Sequence, residues 1–220
     1  MKTRKRILLL ITVSLSVLSC YANPTKVEVI IEYTNSSEKL LVDSNISRFE
    51  VAFPTEGKSE RIKNITGLEK LRNLKEVNCR YLDSSFLYSC FDRLASLEVM
   101  HLESCELNSI AELFTNRNLK ALIIQDGRIK NVSEMVSLRG VPRMEYIELR
   151  GCSLNKPIGF IDFIEKKITL NYAINEIKSI DDSYLAKYFK VILYGNPVNK
   201  ESDESTNYLE SVPEFYRKYE

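Results

Sequence analysis

The strongest constraint on the fold of this chain is a phrase of apolar residues that keeps returning. It reads Leu74-x-x-Val77-x-Cys79, Leu97-x-x-Met100-x-Leu102-x-x-Cys105-x-Leu107, Leu119-x-x-Leu122-x-Ile124-x-x-Gly127-x-Ile129, Met144-x-x-Ile147-x-Leu149-x-x-Cys152-x-Leu154 and Tyr188-x-x-Val191-x-Leu193-x-x-Asn196-x-Val198. A sixth copy, Ile168-x-Leu170, fits between the last two with Glu165 at its first position and a turn one residue short, since Ile174 follows. With the third apolar position as a ruler, Cys79, Leu102, Ile124, Leu149, Leu170 and Leu193 stand 23, 22, 25, 21 and 23 residues apart. Alternate apolar residues predict a short strand with one inward face, and a fixed period predicts that successive strands stack into a parallel sheet. A doubly wound α/β domain is disfavoured: its β-α-β unit needs about 30 residues, and no G-x-G-x-x-G follows any of these phrases.

Between the phrases lie apolar clusters with helical spacing: Phe86, Leu87, Phe91 and Leu94; Ile110, Leu113 and Phe114; Val132, Met135 and Val136; Phe160, Ile161 and Ile164; Ile180, Tyr184 and Leu185. They predict helices of one or two turns on the convex side. The phrases resemble the leucine-rich-repeat consensus L-x-x-L-x-L-x-x-N/C-x-L. Upstream, Ile62-x-x-Ile65-x-x-Leu68-x-x-Leu71-x-x-Leu74 is similar to the linking half of the repeats of internalins and of the phosphatase-1 regulatory subunit. This resemblance implies an α/β solenoid: a horseshoe with a parallel sheet on its concave face, short helices or turns on its convex face, and a cap at each end. Residues 46–198 would form six to seven coils, beginning with a strand at Phe49-x-Val51 and an insertion after it.

Alternation at Val27, Val29 and Ile31, turn residues Asn35, Ser36 and Ser37, and apolar residues from Leu40 to Val42 predict a small β cap within residues 20–45. At the other end, Tyr208, Leu209, Val212, Pro213, Phe215 and Tyr216 follow a polar run and are expected, as residues 199–220, to close the last coil.

The chain starts with Lys2, Arg4, Lys5 and Arg6, then an apolar stretch from Ile7 to Leu18 that is shorter than the roughly 20 residues a membrane-spanning helix needs. Residues 1–19 thus read as an export signal. Leu15-Ser16-Val17-Leu18-Ser19-Cys20 resembles the lipobox of bacterial lipoproteins, which implies lipid attachment at Cys20, anchoring to a membrane and residence in the cell envelope. The alternative is plain secretion after cleavage at Ala22, with Cys20 and Ala22 as the small residues such a site requires. Without the four leading cations, 27 basic side chains face 30 acidic ones, a balance unlike that of a nucleic-acid binder.

Catalytic motifs are missing: there is no Walker loop, no zinc spacing and no H-E-x-x-H. The one histidine, His101, shares a strand face with Glu103, which raises an acid-base possibility also involving Arg80. Against it, His101's expected cross-strand neighbours are Asn78 and Ile123, and a single histidine cannot build a multi-histidine metal site. No cofactor is implied. Cys105 and Cys152 stand at the N/C position two coils apart, so they are expected to be reduced, as are Cys79 and Cys90.

Outward positions on the concave strands form two expected columns: Asn78, His101, Ile123, Glu148, Thr169 and Ile192, and beside them Arg80, Glu103, Gln125, Arg150, Asn171 and Tyr194. With Tyr146 and Tyr172 they supply the Tyr and Arg enrichment of binding hot spots. The expectation is a non-catalytic, monomeric, surface-exposed lipoprotein that binds a protein ligand across this face for adhesion, host-factor recognition or envelope interaction. The alternative is a structural or accessory envelope subunit.

Overall fold

The computed structural model describes residues 25–51, 60–132, 135–165, 167–199 and 212–219. The expected export signal at residues 1–19, Cys20, Ala22, Tyr208 and Leu209 lie outside the described residues.

In chain order the strands are β1 (Lys26–Tyr33), β2 (Ser37–Asp43), β3 (Arg48–Val51), β4 (Ile62–Thr66), β5 (Glu76–Arg80), β6 (Val99–Glu103), β7 (Glu106–Leu107), β8 (Ala121–Gln125), β9 (Arg128–Ile129), β10 (Val136–Ser137), β11 (Tyr146–Arg150), β12 (Phe160–Ile161), β13 (Thr169–Asn171) and β14 (Lys190–Ile192). Seven of them form one parallel sheet in the order β14-β13-β11-β8-β6-β5-β3. Each sheet strand therefore pairs with those of the neighbouring coils, and the molecule is a parallel-strand β-solenoid with few helices. The recurring phrase supplies this directly. Phe49, Val77, Met100, Leu122, Ile147 and Leu170 form one inward row, and Val51, Cys79, Leu102, Ile124, Leu149 and Tyr172 form the next, all buried in one continuous core. Burying each large aliphatic side chain contributes about 1.5–3 kcal/mol, summed along rows that no single coil could bury alone.

The sixth coil departs from the expected register. Leu170 pairs with Ile147 and Val191, so it is the second apolar position, and Tyr172 is the third. The coil then reads Leu170-x-Tyr172-x-x-Asn175-x-Ile177, with a turn of full length. Backbone geometry gives the same register independently. Two residues past the third position each of the six coils from β5 to β14 places a residue in the left-handed region: Tyr81 (φ 61°), Ser104 (54°), Asp126 (52°), Gly151 (63°), Ile174 (56°) and Gly195 (71°). Glycine tolerates this conformation, whereas a β-branched isoleucine does not adopt it without strain.

After that turn, the N/C position reaches back to the backbone. Asn175 Oδ1 accepts from the amides of Cys152 and Leu154 at 2.9 and 3.0 Å, and its Nδ2 donates to the carbonyls of Leu149, Tyr172 and Ala173. Asn196 repeats this one coil on, accepting from the Ile177 amide and donating to the carbonyls of Tyr172 and Leu193. Cys105 and Cys152 occupy the equivalent places, each Sγ turned toward carbonyls of its own and a neighbouring coil. Cys79, Cys90, Cys105 and Cys152 are free thiols. Burial pushes those of Cys90, Cys105 and Cys152 up to about 12.

On the side opposite the sheet, only some of the expected helical turns form. Ser89–Asp92 and Asp182–Leu185 are short α-helices, and Ala111–Leu113 is one 3-10 turn. The clusters around Val136 and Phe160 instead run extended, as β10 and β12 paired in parallel. Val136 and Ile161 favour extended backbone, and stacked coils bring such segments to pairing distance.

At the amino-terminal end, β1 pairs antiparallel with β2 and with β4. The hairpin falls where the alternation places it, Val27 opposite Val42 and Val29 opposite Leu40. Val29, Ile31, Val42, Ile62 and Ile65 join the main core.

Candidate binding face

Side chains that alternate outward from the main core line the other face of the seven-stranded sheet. Three adjacent rows run across it. The first holds Glu76, Val99, Ala121, Tyr146, Thr169 and Lys190; the second holds Asn78, His101, Ile123, Glu148, Asn171 and Ile192; the third includes Arg80, Glu103, Gln125 and Arg150. Asn171 thus stands opposite Glu148 rather than in the row of Arg150, where the sequence reading had it. Tyr172 leaves the face altogether. It is 1% exposed inside the main core, with its hydroxyl on the Ile158 carbonyl and 2.9 Å from the Tyr184 hydroxyl. The two-residue register change moves the turn past residue 172, which shares the inward parity of Leu170 and so becomes the third apolar position.

Asn78, His101, Ile123, Gln125, Tyr146, Glu148 and Ile192 all lie on the predicted face, and all are buried. Arg80, Glu103 and Arg150 are half-buried, and Tyr194 is exposed. The face therefore has a closed centre and an open margin.

Part of that centre is a polar network. Glu148 is 1% exposed, and its carboxylate accepts from Gln125 Nε2 at 2.8 Å, from Asn171 Nδ2 at 2.9 Å and from the Tyr146 hydroxyl, with Arg150 Nε 3.5 Å away. A buried charge is tolerable only with such a set of donors. Because a carboxylate only accepts, the Gln125 amide must turn its NH₂ toward Glu148, which leaves Oε1 facing His101 Nε2 at 3.1 Å. The network thereby assigns the His101 proton to Nε2. Burial, reinforced by the nearby Arg80 and Arg48 guanidiniums, pulls the imidazole down to about 4. Glu103, its expected acid-base companion, is paired instead with Arg80 Nε at 2.7 Å. A neutral imidazole tied to a glutamine and a carboxylate tied to an arginine fit a structural network better than proton transfer.

The remainder is apolar. Val99, Ala121, Ile123, Tyr146 and Ile192 form a cluster separate from the main core, and it is completed by Val212 and Tyr216 from the far end of the chain. The Tyr216 ring stacks on Tyr146 with centroids 4.3 Å apart and planes 7° from parallel. Val212 and Tyr216, expected over the last coil, thus lie on the sheet face. Burial and the carboxylates of Glu145 and Glu98 push the Tyr216 phenol up to about 12. Val99 and Ala121, in the same row as Tyr146, were not among the expected contact residues, although strand alternation places all three outward.

Among the described residues, no group of three His, Cys, Asp or Glu side chains is placed to hold a metal ion, and no helix is long and apolar enough to cross a membrane. Comparison with known proteins found no matching family model and no matching curated protein.

Proposed function

We propose that this chain is a non-catalytic recognition protein of the leucine-rich-repeat class, held at the cell envelope by a lipid on Cys20, and that it binds a protein ligand on the outer face of the seven-stranded sheet. One observation carries the binding reading: an apolar strip on an otherwise polar sheet already seats a peptide segment, Val212 to Tyr216. Around it, Arg80, Glu103, Arg150 and Tyr194 offer half-buried or exposed charges and an aromatic ring at the margin, the arrangement of an apolar centre with a polar rim. The repeat-class reading is supported by the shared strand phrase and by the Asn175 and Asn196 ladder at the consensus N position. In that reading the β1-β2-β4 sheet acts as the amino-terminal cap.

A photoreactive residue introduced at Tyr194 or Arg150 in the full chain, expressed in its own envelope, should crosslink to one protein. The same residue at Leu87, exposed outside the sheet, should not. Equal crosslinking from all three positions would reject the face as the site. The anchor is tested separately by metabolic labelling with an alkyne fatty acid, which Cys20→Ser should abolish; persistence of the label would remove Cys20 from the proposal.

A further inference from the structure

The apolar strip is out of character with its surroundings. The outer face carries Glu76, Asn78, His101, Gln125, Glu148, Asn171 and four arginine-carboxylate pairs, yet Val99, Ala121, Ile123, Tyr146 and Ile192 converge on one patch. Exposed to water such a patch is a sticky surface, and proteins that carry one use it or cover it. Here the cover comes from the same chain, and its construction resembles a ligand more than a coil of the solenoid.

The covering segment makes none of the sheet's strand pairings. It is a short 3-10 helix, Glu214–Tyr219, braced by the Tyr216 amide on the Pro213 carbonyl at 2.8 Å and by Arg217 Nε on the Val212 carbonyl at 3.0 Å. Two side chains on one face do the docking: Val212, 1% exposed, and Tyr216, 8% exposed. Phe215, between them in sequence, points the other way and is 61% exposed. An aliphatic anchor just before a short helix and an aromatic one within it, presented together, suit the way short peptide segments enter apolar grooves.

We infer that the strip formed by Val99, Ala121, Ile123, Tyr146 and Ile192 is a peptide-binding site occupied in cis by the C-terminal segment, and that its external ligand is a partner segment presenting an aliphatic residue and a tyrosine four positions apart. This rests on reading the outer face as a recognition surface. A docked segment of the same chain acts at an effective concentration of about a millimolar, so a turn whose intrinsic affinity is on the order of 10 to 100 µM keeps the site closed most of the time. An external ligand then meets a site whose apparent affinity is lowered roughly 10- to 100-fold and opens it by competition.

The test uses the full chain and a variant, Val212→Ser with Tyr216→Ala, whose cis segment has lost both anchors. The probe is a fluorescent synthetic peptide of residues 208–220, read by anisotropy. The variant should bind it with a dissociation constant on the order of 10 to 100 µM, and the unaltered chain at least about tenfold more weakly. A peptide carrying the Tyr216→Ala change should not bind the variant, whereas one carrying Val212→Ile should.

A folded variant that binds no peptide up to a millimolar overturns the inference. Should the variant fail to fold, amide exchange in the unaltered chain decides: residues 212–219 should exchange well before the sheet strands, and exchange only on global unfolding would make the segment an integral part of the fold. The two proposals fail separately. Peptide binding without crosslinks from residues 150 and 194 retains the site and removes envelope recognition, while crosslinks without peptide binding retain recognition and remove the cis ligand.

Discussion

At the scale of single residues, the turns after the sheet strands carry the sharpest demands. Asn175 satisfies two amides and three carbonyls in a buried turn, so Asn175→Ala strands several backbone groups at once. The expected loss is about 3 kcal/mol, measurable as a lowered urea midpoint. Its neighbour Ile174 works in the opposite sense: it holds a left-handed conformation at φ 56° while 49% exposed, so its side chain contributes little burial in return. Ile174→Gly should raise stability by about 1 kcal/mol, and a loss instead would show that the isoleucine packs more than its exposure suggests. His101 links this scale to pH. Its imidazole is held near 4 by burial against an ordinary 6.5, so between those values the unfolded chain binds a proton that the native chain refuses. Stability from the neutral ring is therefore complete above about pH 6.5 and is lost as pH falls toward 4, by at most about 3 kcal/mol. Urea midpoints at pH 7 and pH 5 should differ less in His101→Gln than in the unaltered protein; equal differences would put the acid sensitivity elsewhere.

At the scale of elements, Tyr172 and Tyr194 show what a linear pattern can and cannot place. Both read from sequence as exposed contact residues, but Tyr172 is a core side chain two coil positions away from that role. Tyr172→Ala should cost about 3–5 kcal/mol in a chemical melt, and Tyr194→Ala no more than about 0.5. The period-two alternation made the strands of the other coils legible, down to the pairing of Asn78, His101 and Ile123, because one buried face forbids a one-residue slip. A two-residue slip keeps every face and merely moves the turn, so Ile168 and Leu170 could stand in for Leu170 and Tyr172 until Asn175 and the left-handed Ile174 were taken into account. Burial of the sheet's outer centre was legible only in part. The row of Val99 and Ala121 follows from the same alternation, whereas docking of Val212 and Tyr216 depends on two side chains outside any repeat. Helices at Val136 and Phe160 were misread because apolar residues three and four apart also suit a short extended segment pairing with the next coil.

At the scale of the whole molecule, the solenoid is a stack in which each coil relies on its neighbours, and Val29, Ile31 and Val42 of the β1-β2-β4 sheet pack into the same core. Deleting residues 25–45 would uncover Ile62 and Ile65, which are fully buried. The shortened chain should bind a hydrophobic dye and lose its cooperative thermal transition; a sharp transition with no dye binding would mean the remaining coils close that end themselves. A linear array of this kind tends to fray from its weakest end, one coil at a time. The stack of Tyr216 on Tyr146 works against that, because the segment carrying it packs on side chains of strands from β6 to β14, the outermost of which do not touch each other. It acts as a clasp across the array. Closed, it makes the coils it spans melt together; opened by a competing ligand, it releases the last coil to unzip on its own, so that occupancy of the face becomes readable as the number of steps in an unfolding trace.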